Sequence, residues 1–113
     1  MPPLMDAKII AKFRTAFEER CSGGVRWKQV PAAEWVRKNL DGCSTQAIDC
    51  LILKHIASGG EISQVQETRE GYRHLQYHYD FRIEIDGKRI YVETTLADVR
   101  MGPLVTVVNV HDA

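Results

Sequence analysis

The stretch that decides the fold runs from residue 72 to residue 96, YRHLQYHYDFRIEIDGKRIYVETTL. Apolar side chains occupy every odd position from Leu75 to Ile85, and polar side chains occupy the even positions between them. This period of two is typical of a β-strand with one buried face. Asp86-Gly87 follows, a pair that favours a two-residue turn in which both residues have positive φ. The stretch is therefore predicted to form a long β-hairpin.

A two-residue turn fixes the register, because residues equally distant from it must face each other. In that register Phe81 faces Val92 on the apolar side, and Asp80 faces Glu93 on the polar side. Like charges placed directly across a strand pair repel each other and are normally avoided. The facing acids are therefore the unusual feature of this sequence.

Three helices are predicted before the hairpin. The first covers residues 6–20, whose apolar side chains recur at helical spacing, and the second covers residues 31–40 with a proline at its start. The third begins at a cap, Ser44 or Thr45, and continues to about residue 57. Its wide apolar surface indicates that it is the most buried of the three.

Two more strands are predicted around the hairpin. EISQVQE, residues 61–67, is polar enough for an edge strand, and LVTVVNVH, residues 104–111, is apolar on both faces and suits the inside of a sheet. Residues 25–30 are interpreted as an extended connector, and residues 97–103 as a loop. The prediction is one α+β domain over residues 1–113, with about three N-terminal helices followed by a four-stranded, mainly antiparallel sheet.

The bulk composition limits the function. Lys and Arg number 15, as do Asp and Glu, so the chain has no net charge and no general attraction to nucleic acid or membrane. No apolar run reaches the length of a membrane span. Three cysteines without a C-x-x-C pair are predicted to be free thiols of a reducing compartment. We expect a cytoplasmic protein with no cofactor and no metal, since Cys43, Cys50 and His55 match no zinc spacing.

The polar face of the hairpin is the predicted site. Two facing carboxyls raise each other's pKa, which prepares one of them for proton transfer, and a neighbouring histidine can act as a base. The candidate catalytic residues are His78, Asp80, Arg82 and Glu93, and the secondary candidates are His74, Tyr91 and His111. His74 and His78 are not expected to act together, because four residues along a strand span roughly 13 Å. Arg73, Tyr72 or His111 could approach His78 instead.

The leading hypothesis is a small cytosolic binding or regulatory domain that uses the polar face or an edge of its sheet. Its partner would be another protein or a second copy of this chain. A flat, open face with acids neutralised by arginine would favour this hypothesis. A concave pocket in which His78, Arg82 and Glu93 meet another histidine would favour catalysis.

The alternative is a small metal-independent ribonuclease. Helices followed by a four-stranded antiparallel sheet resemble the architecture of small microbial ribonuclease toxins, and the resemblance implies RNA as the partner. His78 would act as general base, Glu93 or Asp80 as its acid–base partner, and Arg82 would steady the phosphate. The lack of net positive charge weighs against this alternative, because grip on RNA depends on cationic contacts with phosphate.

A third hypothesis is winged-helix DNA binding. The second and third helices are joined by the short turn at residues 41–44, and a hairpin follows them as a wing would. The third helix offers Gln46, Asp49, Lys54 and His55 to base edges, but these polar residues lie within a wide apolar surface.

Overall fold

Helices come first along the chain and long strands come last. The computed structural model of the protein describes residues 3–72 and 74–113. Its helices are α1 Ala7–Glu18, α2 Glu34–Asn39 and α3 Thr45–Ala57. Its strands are β1 Val25–Trp27, β2 Ile62–Gln66, β3 Tyr77–Ile85, β4 Lys88–Val99 and β5 Gly102–Asp112. No helix in the described part of the chain is long and apolar enough to cross a membrane.

The sheet has five strands in the order β1-β5-β4-β3-β2. Four of them pair antiparallel, but β1 pairs parallel to β5, with Val25 beside Val105 and Trp27 beside Val107. The α+β class is therefore confirmed, while the count of four strands and the extended connector at residues 25–30 were wrong. The short β1 has too few residues to show alternation, and its partner lies far along the chain.

The predicted hairpin is confirmed, with Asp80 paired to Glu93, Phe81 to Val92 and Ile83 to Ile90. Asp86 has a φ of 51° and Gly87 a φ of 79°, which are the positive values that this tight turn requires. The first strand of the hairpin begins at Tyr77 and not at Leu75. The two residues that were predicted as strand belong to the segment that leads into it.

The predicted loop at residues 97–103 was wrong. Ala97 pairs with Leu104, Asp98 with Pro103 and Val99 with Gly102, so β4 and β5 form a second hairpin with a tight turn. Gly102 and Pro103 lie at the start of β5, where a strand tolerates proline.

The helix boundaries agree closely for α1 and α3. The Asp6 carboxylate accepts hydrogen bonds from the amides of Lys8 and Ile9, and the Ser44 hydroxyl accepts one from the amide of Ala47. Such caps satisfy amides that the first turn of a helix leaves free. α2 is shorter than predicted, because residues 29–33 form a separate turn in which Val30 is extended (φ −122°, ψ 128°).

The helices cover the apolar face of the sheet. The rings of Phe13 and Phe17 meet the ring of Phe81 edge-on, with centroids 5.6 and 6.1 Å apart, and all three side chains are fully buried. Ile48 and Ile52 of α3 are fully buried in the same core. Aromatic rings prefer such edge contacts, which makes this layer well packed.

The opposite face of the sheet is crossed by residues 67–72 and 74–76, which we name the strap. The strap joins β2 to β3, and its ends are held by a hydrogen bond of 2.9 Å from the Glu67 amide to the Gln76 carbonyl. Tyr72 of the strap accepts a hydrogen bond of 2.8 Å at its hydroxyl from Lys28, just after β1. The strap therefore spans the polar face from one side of the sheet to the other, and the facing acids of that face, Asp80 and Glu93, are buried.

Candidate functional site

The facing acids predicted from the sequence lie at the centre of the polar face. Asp80 is fully buried and Glu93 is 7% exposed, although both are carboxylic acids. Charged side chains are rarely buried to this extent unless they are paired. The surroundings of these two residues therefore define the candidate site.

His78 is held in place by Glu67, whose side chain has no exposed surface. The Nδ1 atom of His78 lies 2.7 Å from Oε2 of Glu67. The hydrogen bond from Arg69, opposed by burial and supported by His78, lowers the pKa of Glu67 to about 2. Glu67 is then an ionised acceptor, so Nδ1 of His78 carries the hydrogen. The other ring nitrogen, Nε2, faces Oδ1 of Asp80 at 3.7 Å.

Arg69 of the strap bridges two carboxylates. Its Nε and Nη2 atoms donate to Glu67 at 2.7 and 3.1 Å, and its Nη2 also forms an ion pair with Oε2 of Glu93. Its guanidinium lies over the ring of Tyr72, 4.8 Å from the centroid. Arg69 thus holds the strap down and neutralises part of the acidic charge beneath it.

Asp80 has no such partner. Both of its carboxyl oxygens are buried, and neither accepts a hydrogen bond from any residue that the structure describes. Burial raises the pKa of Asp80, and the Tyr91 hydroxyl, which faces the carboxyl, and His78 offset this effect only in part. A buried carboxyl without hydrogen bonds carries a desolvation penalty of several kcal/mol when it is ionised.

Three potential metal ligands converge at Asp80. A ring nitrogen of His78, an oxygen of Asp80 and an oxygen of Glu93 all lie within 4.8 Å of one another. One imidazole and two carboxylates form a donor set that divalent cations accept in proteins. The arrangement could therefore hold a metal ion or pass a proton between neighbouring groups.

Arg82, Tyr91 and His111 lie side by side across three strands. Arg82 donates from Nη1 to the Ser63 hydroxyl at 3.1 Å, and its guanidinium lies 5.5 Å from the Tyr91 ring centroid. The Tyr91 ring stacks on His111 with centroids 4.5 Å apart. Burial, together with the nearby Asp80, raises the pKa of Tyr91, so its hydroxyl keeps its proton.

The structure brings some of the predicted site residues together and leaves others apart. His78, Asp80 and Glu93 converge, and Arg82 and Tyr91 border them. His111 stacks on Tyr91 and so lies next to a residue that borders the cluster. His74 is exposed on the strap before β3 begins. Arg73, considered as a partner of His78, lies outside the described residues. Whether these side chains are catalytic stays a prediction.

Sequence reasoning missed Glu67 and Arg69, the two residues that organise the site. Both lie on the strap, which has no periodic pattern that would indicate which way its side chains point. One signal was present, since a buried acid pair needs a counter-cation and Arg69 is one of two arginines between the edge strand and the hairpin strand.

Comparison with known proteins gives no match for this chain: no family model, no curated protein and no solved structure matches it. The function proposed below therefore rests on the side chains of the site.

Proposed function

We propose that this protein is a divalent-cation-binding domain in which His78, Asp80 and Glu93 ligate the ion on the polar face of the sheet. The proposal keeps the leading hypothesis, a binding domain that uses this face, and gives it a ligand. It departs from the sequence-based expectation that no metal binds. The cysteines play no part in it, because all three are free and none belongs to the cluster.

The burial of Asp80 without a hydrogen bond is the observation that carries this proposal. A carboxylate in that position needs either a proton or a cation to offset its desolvation. A divalent ion at this point would also take up the nearby oxygen of Glu93, whose present cationic partner is Arg69. The ion therefore satisfies two buried acids at once, whereas a proton satisfies one.

The contact between Glu67 and His78 supports the same ligand. A histidine that binds a metal through one nitrogen usually donates its other N–H to a carboxylate or carbonyl, which fixes the ring. Glu67 accepts from Nδ1 of His78, and this leaves the Nε2 lone pair on the side of Asp80. The ring is thus already oriented as a metal ligand.

The donor set indicates the class of ion. Imidazole nitrogen with carboxylate oxygen suits Zn²⁺ and Mn²⁺, whereas Ca²⁺ takes six to eight oxygens and Mg²⁺ keeps most of its water. Metal–ligand bonds of about 2.1 Å place opposite ligands about 4.2 Å apart. The three donors lie within 4.8 Å of one another, so small side-chain movements complete the site.

Isothermal titration of the chelator-treated protein with Zn²⁺, Mn²⁺ and Ca²⁺ tests this proposal. We expect one Zn²⁺ or Mn²⁺ per chain, weak or absent Ca²⁺ binding, and at least tenfold weaker Zn²⁺ binding by Asp80→Asn. Glu84→Gln is the matched control, because Glu84 is an exposed acid on the same strand and face. Equal Zn²⁺ affinity of Asp80→Asn and wild type, or no binding by wild type, would refute the site.

A metal-independent ribonuclease is the second candidate, and the Glu67–His78 contact favours it as well. A carboxylate that orients a histidine is also how enzymes position a general base. However, Oδ1 of Asp80 lies 3.7 Å from Nε2 of His78. A base and an acid on opposite sides of an in-line phosphorus must stand roughly 6 Å or more apart. This spacing places the ribonuclease second.

The ribonuclease is tested on labelled RNA in the presence of EDTA. Cleavage by wild type and by the control His74→Ala, but not by His78→Ala, would support it. Equal cleavage by wild type and His78→Ala, or none by either, would end it.

Winged-helix DNA binding and partner pairing through a sheet edge stay predictions from the sequence. α3 directs Ile48, Ile52 and Ile56 into the core, and the edge strand β2 is partly paired by residue 3 through a bridge from Pro3 to Ser63. Neither observation favours these alternatives.

A further inference from the structure

Arg82 is a half-buried cation without an acidic partner. Among the residues that the structure describes, its side chain makes one hydrogen bond, to Ser63, lies over the Tyr91 ring, and forms no ion pair within 4.0 Å. A guanidinium carries five N–H donors in a rigid fork, so most of its donors are unused here. This is unusual beside a cluster of carboxylates.

The cationic partner of Glu93 is a different arginine, Arg69. Arg69 makes the ion pair with Glu93, whereas Arg82 acts on Asp80 only through space, where it lowers the pKa against the effect of burial. Arg82 is therefore not needed to neutralise Glu93. Its free donors are available to a ligand that is not part of the chain.

We propose that Arg82 and the metal ion together bind a phosphoryl group, so that the cation site is one half of an oxyanion site. This inference rests on the proposed metal site. Without the ion, the site holds three carboxylates, Glu67, Asp80 and Glu93, and two arginines, and the excess of negative charge repels anions. A divalent ion makes the net charge of the site positive, so the anion binds only when the metal is bound.

A tetrahedral phosphoryl group fits this pair of cations better than a carboxylate does. Its several terminal oxygens can bind a metal ion and a guanidinium fork at the same time. The Tyr91 ring contacts both the Arg82 guanidinium and the His111 ring, and these contacts hold the guanidinium fork in place beside the cluster. Inorganic phosphate is the simplest ligand of this class.

The test uses the protein loaded with Mn²⁺, whose unpaired electrons speed the ³¹P relaxation of phosphate that binds beside it. We expect saturable relaxation enhancement for wild type and at least tenfold weaker phosphate binding for Arg82→Ala. Arg82→Lys keeps the charge but not the fork, so its affinity should fall between the two. The control is Arg89→Ala, because Arg89 is an exposed arginine on the same face, opposite Glu84.

The outcomes separate this inference from the metal site itself. Manganese affinity is measured for every variant, and retained affinity in Arg82→Ala shows that the variant is folded. If both wild type and Arg82→Ala bind Mn²⁺ and show the same phosphate relaxation, the oxyanion site is refuted and the metal site is retained. Failure of Mn²⁺ and Zn²⁺ to bind overturns both. Acetate that competes as well as phosphate overturns the phosphoryl preference.

Discussion

Two neighbouring residues of β3 are buried to the same degree for opposite reasons. Phe81 and Asp80 each have no exposed surface, but Phe81 points into the aromatic layer under α1 whereas Asp80 points at the strap. Burial of the apolar face stabilises the folded state. Burial of the polar face carries a desolvation cost that no described hydrogen bond to Asp80 offsets. Burial alone therefore does not separate a core from a site, but the balance of polar partners does.

The largest effect is expected on the apolar face. Phe81→Ala removes a fully buried ring that meets Phe13 and Phe17, so the free energy of unfolding should fall by about 3–5 kcal/mol. Equilibrium urea denaturation followed by circular dichroism measures this change. Tyr77→Ala, at the half-buried end of the same strand, should cost less. A loss below 1 kcal/mol for Phe81→Ala would contradict the conclusion that burial of the apolar face stabilises the fold.

On the polar face, a substitution should stabilise. Asp80→Asn removes a buried charge and keeps its shape, so in EDTA the free energy of unfolding should rise by about 1–3 kcal/mol. Saturating Zn²⁺ should narrow this difference, because each tenfold loss of Zn²⁺ affinity in Asp80→Asn gives the wild type about 1.4 kcal/mol more stabilisation by the ligand. Urea denaturation with and without Zn²⁺ measures both effects. A destabilised Asp80→Asn in EDTA would mean that the carboxylate is already satisfied.

Asp49 gives a buried acid on the helix side for comparison. Its carboxylate accepts a hydrogen bond of 2.8 Å from Trp27, yet burial raises its pKa from 3.8 to about 6. Because the folded-state pKa is the higher one, this group favours the folded state below pH 4 and loses that contribution as the pH rises through 6. Asp49→Asn should therefore match wild type near pH 4 and be more stable at pH 8, by up to about 3 kcal/mol.

Unfolding of wild type, Asp49→Asn and the exposed control Asp41→Asn across pH 4–8 measures this dependence. A stability difference between wild type and Asp49→Asn that does not change with pH would contradict the raised pKa. A difference that grows between pH 4 and 6 would show that one hydrogen bond does not offset burial, which makes Asp80, with none, the more demanding position.

Features set by neighbouring residues were predictable from the sequence, and features set by distant ones were not. The turn at Asp86 and the strict alternation before it fix the register, so Asp80 had to face Glu93. The pairing of β1 with β5 depends on contacts between distant parts of the chain, and β1 itself is three residues long. The site residues on the hairpin were predictable because the alternation of a strand determines which way each side chain points. Glu67 and Arg69 lie on the irregular strap, where the sequence does not determine the side-chain direction.

The smallest effect on Zn²⁺ affinity is expected at the strap. Arg69 is 43% exposed in its side chain, but Arg69→Ala leaves the buried carboxylates of Glu67 and Glu93 without their cation, so stability should fall by about 1–3 kcal/mol. Because its guanidinium forms an ion pair with Glu93, one of the proposed ligands, its removal should raise the Zn²⁺ affinity several-fold. Titration calorimetry of Arg69→Ala measures this, with the exposed Arg26→Ala as control. Weaker Zn²⁺ binding would show instead that Arg69 organises the ligands through Glu67, so that the strap completes the metal site and does not compete with it.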